Sequence, residues 1–202
     1  MPVISQLRHP ALLLASGSPR RIQLLRRAGF TFKIVRPQLQ ERTDRFLTAR
    51  ELTSWNALAK GSRVANANPQ AAVIAADTLV TLDGDVIGKP VDLEDAFATL
   101  QRLSGKTHQV YTSVFIAHRK RNQSILFSER SDVEFRRLGA AEIRSYLAKI
   151  NPLDKAGAYA AQGPGRETIR RILGSYTNVV GLPMENTMAA LARFGIRPRV
   201  PG

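Results

Sequence analysis

The strongest chemical signal lies in residues 14–21 (LASGSPRR), where an apolar strand is predicted to lead into a helix. Ser18 is expected to be the N-cap and Pro19 the first helical residue. Arg20 and Arg21 then fall in the first turn, where the helix macrodipole favours negative side chains. Free N–H groups and two guanidinium groups at one helix end would bind an anion. On these residues alone, a solvated basic helix end is an equally good interpretation.

A carboxylate interrupts the most apolar segment of the chain. Asp77 lies within 72–82 (AVIAADTLVTL), which we predict to be a buried strand. Burial of a carboxylate is costly unless it is paired, hydrogen-bonded or bound to a metal. The functional hypothesis is therefore a base or a metal ligand at the edge of a cleft. The alternative is an aspartate that caps a turn at the end of the strand.

Four further residues carry weaker signals. Lys60 lies in a predicted helix and Lys89 in a loop, and base rates make both solvated surface lysines. Glu41 stands between two arginine-bearing stretches, where a salt bridge is the default interpretation. The small residues of 154–163 suit either a close approach to a ligand or a tight turn beside the core. Within that segment, the Gln162 amide could pair with a nucleobase edge.

The elements that must position these residues alternate along the chain. Strands are predicted near 11–15, 31–35, 72–82, 108–118 and 124–136, and helices near 19–28, 48–67, 92–105, 140–149 and from 183 onward. Thr48 and Glu51 match the capping box, and Asp83-Gly84 is a hairpin signal. This alternation predicts a single α/β domain over residues 1–202 with a mixed β-sheet.

Bulk composition limits the classes of function. The 202 residues contain no cysteine, which excludes disulfides, thiolate metal sites and a cysteine nucleophile and agrees with a reducing cytoplasm. No apolar run approaches the ~20 residues of a membrane span. A net charge of +14 indicates a polyanionic partner, either nucleic acid or a phosphorylated small molecule. Aromatic residues make up only 6% and no known nucleic-acid motif is present, which favours the small molecule.

Taken together, residues 12–184 resemble the Maf family of nucleoside triphosphate pyrophosphatases. The matching segments, in the family's order, are 14–21, Lys60, 76–78 (ADT), 83–90 (DGDVIGKP), 103–108 (LSGKTH), 154–163 (DKAGAYAAQG) and 178–183 (NVVGLP). The resemblance implies a Maf/ITPase-like α/β fold, with a central twisted mixed β-sheet flanked by helices, and a homodimer. It also implies hydrolysis of a nucleoside triphosphate to the monophosphate and pyrophosphate, with a divalent metal cation, Mg²⁺ or Mn²⁺.

The resemblance also implies roles for individual residues. They are catalysis by Asp77, phosphate binding by Ser16, Ser18, Arg20, Arg21, Lys60 and Lys89, and metal binding by Glu41 together with Asp77. The chain differs from many members of the family before Glu41, where Gln40 replaces the Asp of an Asp-Glu pair. This difference affects the expected metal binding by that loop. Ala158 and Ala160 stand where glycines are frequent, which would tighten the base pocket.

Three positions bear on the substrate. The branch of the family that acts on 7-methyl-GTP tends to have an aromatic residue, Gln and Glu where this chain has Arg20, Thr78 and Gln162. The chain therefore resembles the dTTP/UTP branch, and one Gln amide can pair with the adjacent carbonyl and N–H of a pyrimidine. Two alternatives stay open. One is a house-cleaning pyrophosphatase for modified nucleotides, and the other is a nucleic-acid-binding or partner-binding protein that retains the fold.

Overall fold

One seven-stranded mixed sheet organises residues 10–44 and 46–199, which are the part of the chain that the computed structural model describes. The strands are β1 (Leu12–Leu14), β2 (Lys33–Ile34), β3 (Ala72–Leu82), β4 (Asp85–Ile87), β5 (Thr107–His118), β6 (Gln123–Phe135) and β7 (Ile169–Leu173). Their order is β2-β1-β3-β5-β6-β7, with β4 paired to β3. β1 pairs in parallel with β2 and β3, whereas all the other pairs are antiparallel.

Six α-helices flank the described sheet. They are α1 (Pro19–Arg27), α2 (Ala49–Ala67), α3 (Leu93–Leu103), α4 (Ala140–Leu147), α5 (Tyr176–Val180) and α6 (Met184–Arg193). The predicted single α/β domain with a mixed sheet is confirmed. β7 and α5 were not predicted, because each has only five residues and therefore little periodicity. No helix among the described residues is long and apolar enough to cross a membrane.

Two local sequence signals form the predicted structures. Thr48 Oγ1 accepts a hydrogen bond from Glu51 N at 3.3 Å, and Glu51 Oε2 accepts one from Thr48 N at 2.8 Å. This capping box begins α2. Asp83 and Gly84 have φ values of 54° and 92°, which turn the chain from β3 into β4. Both signals act over a few residues, so no distant contact is needed to form them.

β3 separates two layers of core because successive side chains point to opposite faces of a sheet. Val73 and Ala75 belong to the cluster that packs against α2. Ile74 and Ala76 belong to the cluster that includes side chains of α1 and α6. A third cluster surrounds the far end of β3 with residues of α3 and α4. The same alternation directs the next two residues of β3, Asp77 and Thr78, to different faces.

α2 lies unusually close to the sheet at Gly61. A Cβ atom at this position would lie 2.4 Å from Phe115 Cδ1 and 3.2 Å from Ala75 Cβ. Any side chain larger than hydrogen would therefore push the helix away. Hydroxyl groups hold the same helix to the sheet, because Thr53 Oγ1 and Ser113 Oγ are 2.7 Å apart.

His108 is completely buried in an aromatic cluster. Its ring meets Phe135 and Tyr159 edge to face, and its Nε2 lies 2.9 Å from Tyr159 Oη. Its Nδ1 has no hydrogen-bond partner in the described part of the chain. Burial lowers the pKa of His108 from 6.5 to about 4, with Asp132 opposing the shift only partly. The imidazole is therefore neutral in the folded protein at neutral pH.

We expect the His108 contribution to the free energy of unfolding to decrease as the pH falls from 6.5 to about 4. Between these values the unfolded chain binds a proton that the folded chain excludes. The loss reaches about 3 kcal/mol below the folded pKa. Guanidinium chloride unfolding across this pH range measures it. The comparison is with His108→Gln, which keeps a polar partner for Tyr159 Oη and should lose the dependence. Parallel pH profiles for the two proteins would contradict the assignment.

Candidate active site

A cleft of about 1060 Å³ opens where β1 ends and continues along β3. Its volume is at the upper end of ordinary ligand pockets. Eight lysine or arginine residues and five carboxylates line it, so its net charge favours an anionic ligand. All ten site residues predicted from the sequence lie along its walls: Ser16, Ser18, Arg20, Arg21, Glu41, Lys60, Asp77, Thr78, Lys89 and Gln162.

A buried ammonium group joins the two carboxylates of interest. Lys60 Nζ donates to Asp77 Oδ1 at 2.6 Å and lies 2.7 Å from Glu41 Oε1. Lys60 and Asp77 are only 8% and 5% exposed. The expectation of a solvated surface lysine at Lys60 is therefore wrong, because the close approach of α2 at Gly61 turns this side chain inward. Glu41 does form a salt bridge, as in its default interpretation, but with Lys60 and not with an arginine of the flanking stretches.

Asn56 is a site residue that sequence reasoning missed. Its Nδ2 donates to Asp77 Oδ2 at 3.3 Å and to Arg42 O at 3.2 Å, while its Oδ1 accepts from Arg42 N at 2.9 Å. The side chain thus ties the loop that carries Glu41 to the carboxylate on the sheet. A signal was present, because Thr53, Asn56 and Lys60 are spaced by three and four and share one helical face. Polar residues at this spacing on the buried face of α2 indicate a polar site.

Glu41 is ionised at neutral pH. Burial acts to raise its pKa, but the hydrogen bond from Lys60 and the positive charges of Lys60, Lys89 and Arg21 outweigh it. The net effect places the pKa of Glu41 below its usual value. The cleft therefore presents a carboxylate held among cations.

Arg21 lies on the other face of β3, where the protein itself binds its guanidinium group. Nε donates to Gly181 O at 2.8 Å, Nη1 to Ser16 Oγ at 3.3 Å and Nη2 to Thr78 Oγ1 at 3.0 Å. Burial lowers the pKa of Arg21, yet a guanidinium keeps its charge in proteins. Thr78, predicted as a specificity residue, thus also positions Arg21. Thr78 Oγ1 lies 3.0 Å from Thr112 Oγ1, which extends this support into the sheet.

The N-terminus of α1 is built without a side-chain cap. Ser18 is the N-cap residue and Pro19 follows it, as predicted, but the Ser18 side chain makes no capping bond. Ser16 Oγ instead accepts from Ser18 N at 3.2 Å. The first turn contains no acidic residue. The positive end of the helix dipole therefore faces the cleft uncompensated by an acidic side chain of its own turn.

Arg20 reaches across the mouth of the cleft. Its Nη1 donates to Asp154 Oδ2 at 3.4 Å and its Nη2 to Asp154 O at 3.3 Å. Lys155 Nζ also contacts Asp154 Oδ1. Burial acts to raise the pKa of Asp154, but Lys155 and Arg20 outweigh it and the pKa is lowered. The segment after Asp154 is thus tied electrostatically to the start of α1.

Three cations in the cleft, Arg21, Arg36 and Lys89, form no ion pair with an acidic residue in the described part of the chain. A Cβ at Gly17 would lie 3.2 Å from Arg36 Nε, so Arg36 lies against the loop after β1. Sequence reasoning did not identify Arg36 as a site residue, since an arginine after a short strand has no motif of its own. Arg36 lines the same cleft as the N-terminus of α1 and is therefore available to an anion that binds there.

The segment 154–163 combines the two roles that the sequence left open. Gly157 has a φ of 74°, and a Cβ there would lie 3.1 Å from the Tyr159 ring and 3.3 Å from Val80 Cγ2. This half of the segment is a tight turn against the core. Ala160 and the partly buried Gln162 instead line the cleft.

The two carboxylates suit a metal ion that is shared with a ligand. The described residues contain no group of three His, Asp or Glu side chains that could hold an ion by themselves. Mg²⁺ in phosphate-processing sites is typically bound by one or two carboxylates together with phosphate oxygens. Glu41 and Asp77 are hard oxygen donors of this kind. Lys60 Nζ contacts one oxygen of each, so an ion would use Glu41 Oε2 and Asp77 Oδ2 or replace the ammonium group between them.

Comparisons with known proteins agree on one family. The family model described as Maf-like protein matches residues 11–194. A dTTP/UTP pyrophosphatase of Bacillus pumilus (strain SAFR-032) is 44% identical over 187 residues, which are 93% of this chain and 98% of the relative. A dTTP/UTP pyrophosphatase of Bacillus cereus (strain ATCC 10987 / NRS 248) is 42% identical over 185 residues, 92% of this chain and 90% of the relative.

One solved structure shows a weaker similarity. The Staphylococcus aureus Ham1 protein aligns with a TM-score of 0.46 and 16% identity over 62% of this chain and 71% of its own. This similarity is too low to bear on fold or function.

Replacement of Lys60 by Met should lower the free energy of unfolding by about 3 kcal/mol, because it leaves the buried Asp77 charge without its partner. This value is at the lower end of the usual loss for a broken buried ion pair, because the second partner of Lys60, Glu41, is half exposed. Lys106→Met is the matched control, because Lys106 forms an exposed pair with Asp83 at 3.6 Å and should lose less than about 1 kcal/mol. Denaturant unfolding of the three proteins measures both losses. Equal losses in the two variants would refute the special role of Lys60.

Proposed function

The chain belongs to the family of Maf-like proteins, and on that premise we propose that it hydrolyses dTTP and UTP to the monophosphate and pyrophosphate. Relatives named dTTP/UTP pyrophosphatase support this substrate choice, because they align with nearly the whole chain. The observation that carries the proposal is the cleft itself. It is lined by a paired carboxylate of the sheet, by a helix N-terminus and by a group of cations. The reaction class is hydrolysis of a phosphoric anhydride.

Asp77 is the proposed catalytic residue. Its carboxylate would activate or orient the water that attacks the α-phosphorus, either directly or by holding the metal. Lys60 and Asn56 each donate to a different oxygen of this carboxylate. A carboxylate can accept about four hydrogen bonds, so these two fix its orientation and leave lone pairs for water. The proposed base is thus held by donors from one helix, α2.

Cations on both faces of β3 would bind the triphosphate. Arg21 and the N-terminus of α1 would approach it from one side and Lys60 from the other, and Lys89 would contribute from the loop after β4, where its charge already acts on Glu41. Stabilisation of the charge that develops on the phosphates is the main route to catalysis in phosphoryl chemistry. Arg20 would contribute at the mouth of the cleft, where the polyphosphate would compete with Asp154 for its guanidinium group.

A divalent cation, Mg²⁺ or Mn²⁺, is the proposed cofactor. Glu41 and Asp77 would hold it together with oxygens of the substrate. When bound, such an ion supplies Lewis-acid polarisation of phosphoryl oxygens. Lys60 would keep the two carboxylates together when the metal is released, because its ammonium group contacts both.

Two further expectations stay predictions, a homodimer and a cytoplasmic location, and modified nucleotides stay the alternative to dTTP and UTP as the physiological substrates. This alternative is the house-cleaning pyrophosphatase, with dTTP and UTP as convenient surrogates. Hydrolysis of a panel of ordinary and modified nucleotides, with products resolved by chromatography, distinguishes these two substrate hypotheses.

Replacement of Asp77 by Asn should reduce pyrophosphate release from dTTP in the presence of Mg²⁺ by at least ~100-fold, the scale of a general-base contribution. Asp83→Asn is the control, because Asp83 lies in the left-handed β3–β4 turn, a conformation that Asn also adopts readily. Thermal unfolding of both variants checks that the fold persists. Near-normal turnover by a folded Asp77→Asn protein would show that the catalytic assignment is wrong.

Replacement of Gln162 by Glu should lower kcat/KM for dTTP and UTP by roughly 10-fold to 100-fold. The change removes the amide donor and sets a carboxylate against a pyrimidine carbonyl, leaving polar groups unpaired. Gln101→Glu makes the same chemical change on the exposed face of α3 and should have no effect. Steady-state kinetics with dTTP, UTP and 7-methyl-GTP measure the change in kcat/KM for each nucleotide. Unchanged kcat/KM values for dTTP and UTP would show that Gln162 does not contact the base.

A further inference from the structure

Eight basic side chains gather at the end of the sheet that lies away from the cleft. This group, called here the basic end, consists of Arg26, Arg27, Arg119, Lys120, Arg121, Arg193, Arg197 and Arg199, all of them exposed. Asp77 pairs with Ser113, and Arg119 follows six residues later at the end of β5. At the rise of an extended strand this separation is about 20 Å. The basic end is therefore distinct from the phosphate-binding groups of the cleft.

Direct contacts join the three segments that form the basic end. Arg121 Nη1 donates to Phe194 O at 3.2 Å, which links the β5–β6 turn to the end of α6. Gln123 Nε2 donates to Arg193 O at the same distance. Arg199 N donates to Gly29 O at 2.9 Å, which links the C-terminal segment to the end of α1. The basic end is therefore a continuous surface.

Local helix energetics explain only part of this charge. Arg26, Arg27 and Arg193 lie in the last turns of α1 and α6, where the macrodipole favours cations. The other five have no such reason, and none of the eight forms an ion pair with a described acidic residue. The buried His118 responds to the local charge. Its pKa is lowered first by burial and then by the positive charge of Arg121 and, more weakly, Lys120.

The side chains at the basic end indicate which polyanion it suits. Seven of the eight are arginine, whose planar guanidinium group binds phosphate oxygens in pairs. The described segments 26–29, 119–122 and 193–199 present no large exposed apolar side chain. They therefore lack the apolar anchors of a membrane-binding surface and the aromatic platforms that stack on single-stranded bases. A nucleic-acid duplex presents regular rows of phosphates and keeps its bases stacked inside, so binding it requires neither aromatic platforms nor apolar anchors.

We propose that the basic end binds the phosphate backbone of double-stranded nucleic acid without reading its sequence. This binding is independent of the cleft and of the reaction proposed for it. It accounts for much of the arginine excess of the chain, which the pyrophosphatase function leaves unexplained.

The test is fluorescence anisotropy of the full chain with a labelled mixed-sequence DNA duplex over a series of KCl concentrations. The logarithm of the binding constant should fall linearly with the logarithm of salt, by about 0.9 for each phosphate neutralised. Arg119→Ala combined with Lys120→Ala should weaken binding and reduce this slope by about 2. The matched control is Arg170→Ala combined with Arg171→Ala, which removes the same charge from exposed residues of β7 at the other end of β6. It should leave the slope nearly unchanged.

Further measurements separate this proposal from the proposed function. The Arg119/Lys120 double variant should keep full pyrophosphate release, and Asp77→Asn should keep full duplex binding. Equal weakening by the two double variants would overturn the proposal, because binding would then follow net charge alone. Displacement of the duplex by dTTP would also overturn it by locating binding in the cleft. Binding to phosphatidylserine vesicles without binding to the duplex would likewise overturn the proposal.

Discussion

The Lys60 ammonium group, buried between Asp77 and Glu41, is the interaction on which the arrangement of the cleft depends. A buried charge is tolerated only when it is paired and hydrogen-bonded. The helix α2, the strand β3 and the loop that carries Glu41 must therefore pack against one another at Lys60. Gly61 makes the meeting possible, because any Cβ there would strike Phe115. A glycine in the middle of a helix is unfavourable, and here the close packing that it permits offsets that cost.

The alternation of β3 distributes the functional groups over two faces of one sheet. Asp77 faces α2 and its ammonium partner, whereas Thr78 faces α1 and holds the guanidinium group of Arg21. Adjacent residues of a strand therefore support two different cations. The cleft includes residues from both faces, because it opens at the end of the short strand β1.

Two kinds of positive surface coexist in this molecule and differ in what surrounds them. Cations in the cleft are interleaved with carboxylates, so their charge is local, directed and compatible with a small phosphorylated ligand. The basic end has no described acidic partner and projects its field into solvent, where it can attract an extended polyanion. Of the net charge of +14, the basic end contributes +8, and the cleft contributes +3 because five carboxylates offset its eight cations.

The sequence by itself determined the elements whose signals are local. The capping box of α2, the Asp83-Gly84 turn and the apolar run of β3 act over a few residues, and all three formed as predicted. The family resemblance also named ten residues that line one cleft. Only the tertiary structure decided that Lys60 is buried and that Asn56 orients Asp77. A lysine in a helix is ordinarily solvated, and its burial here depends on how closely α2 packs on strands that are distant in the sequence. That distance of approach is a property of the packed sheet and helix, which no local pattern of residues contains.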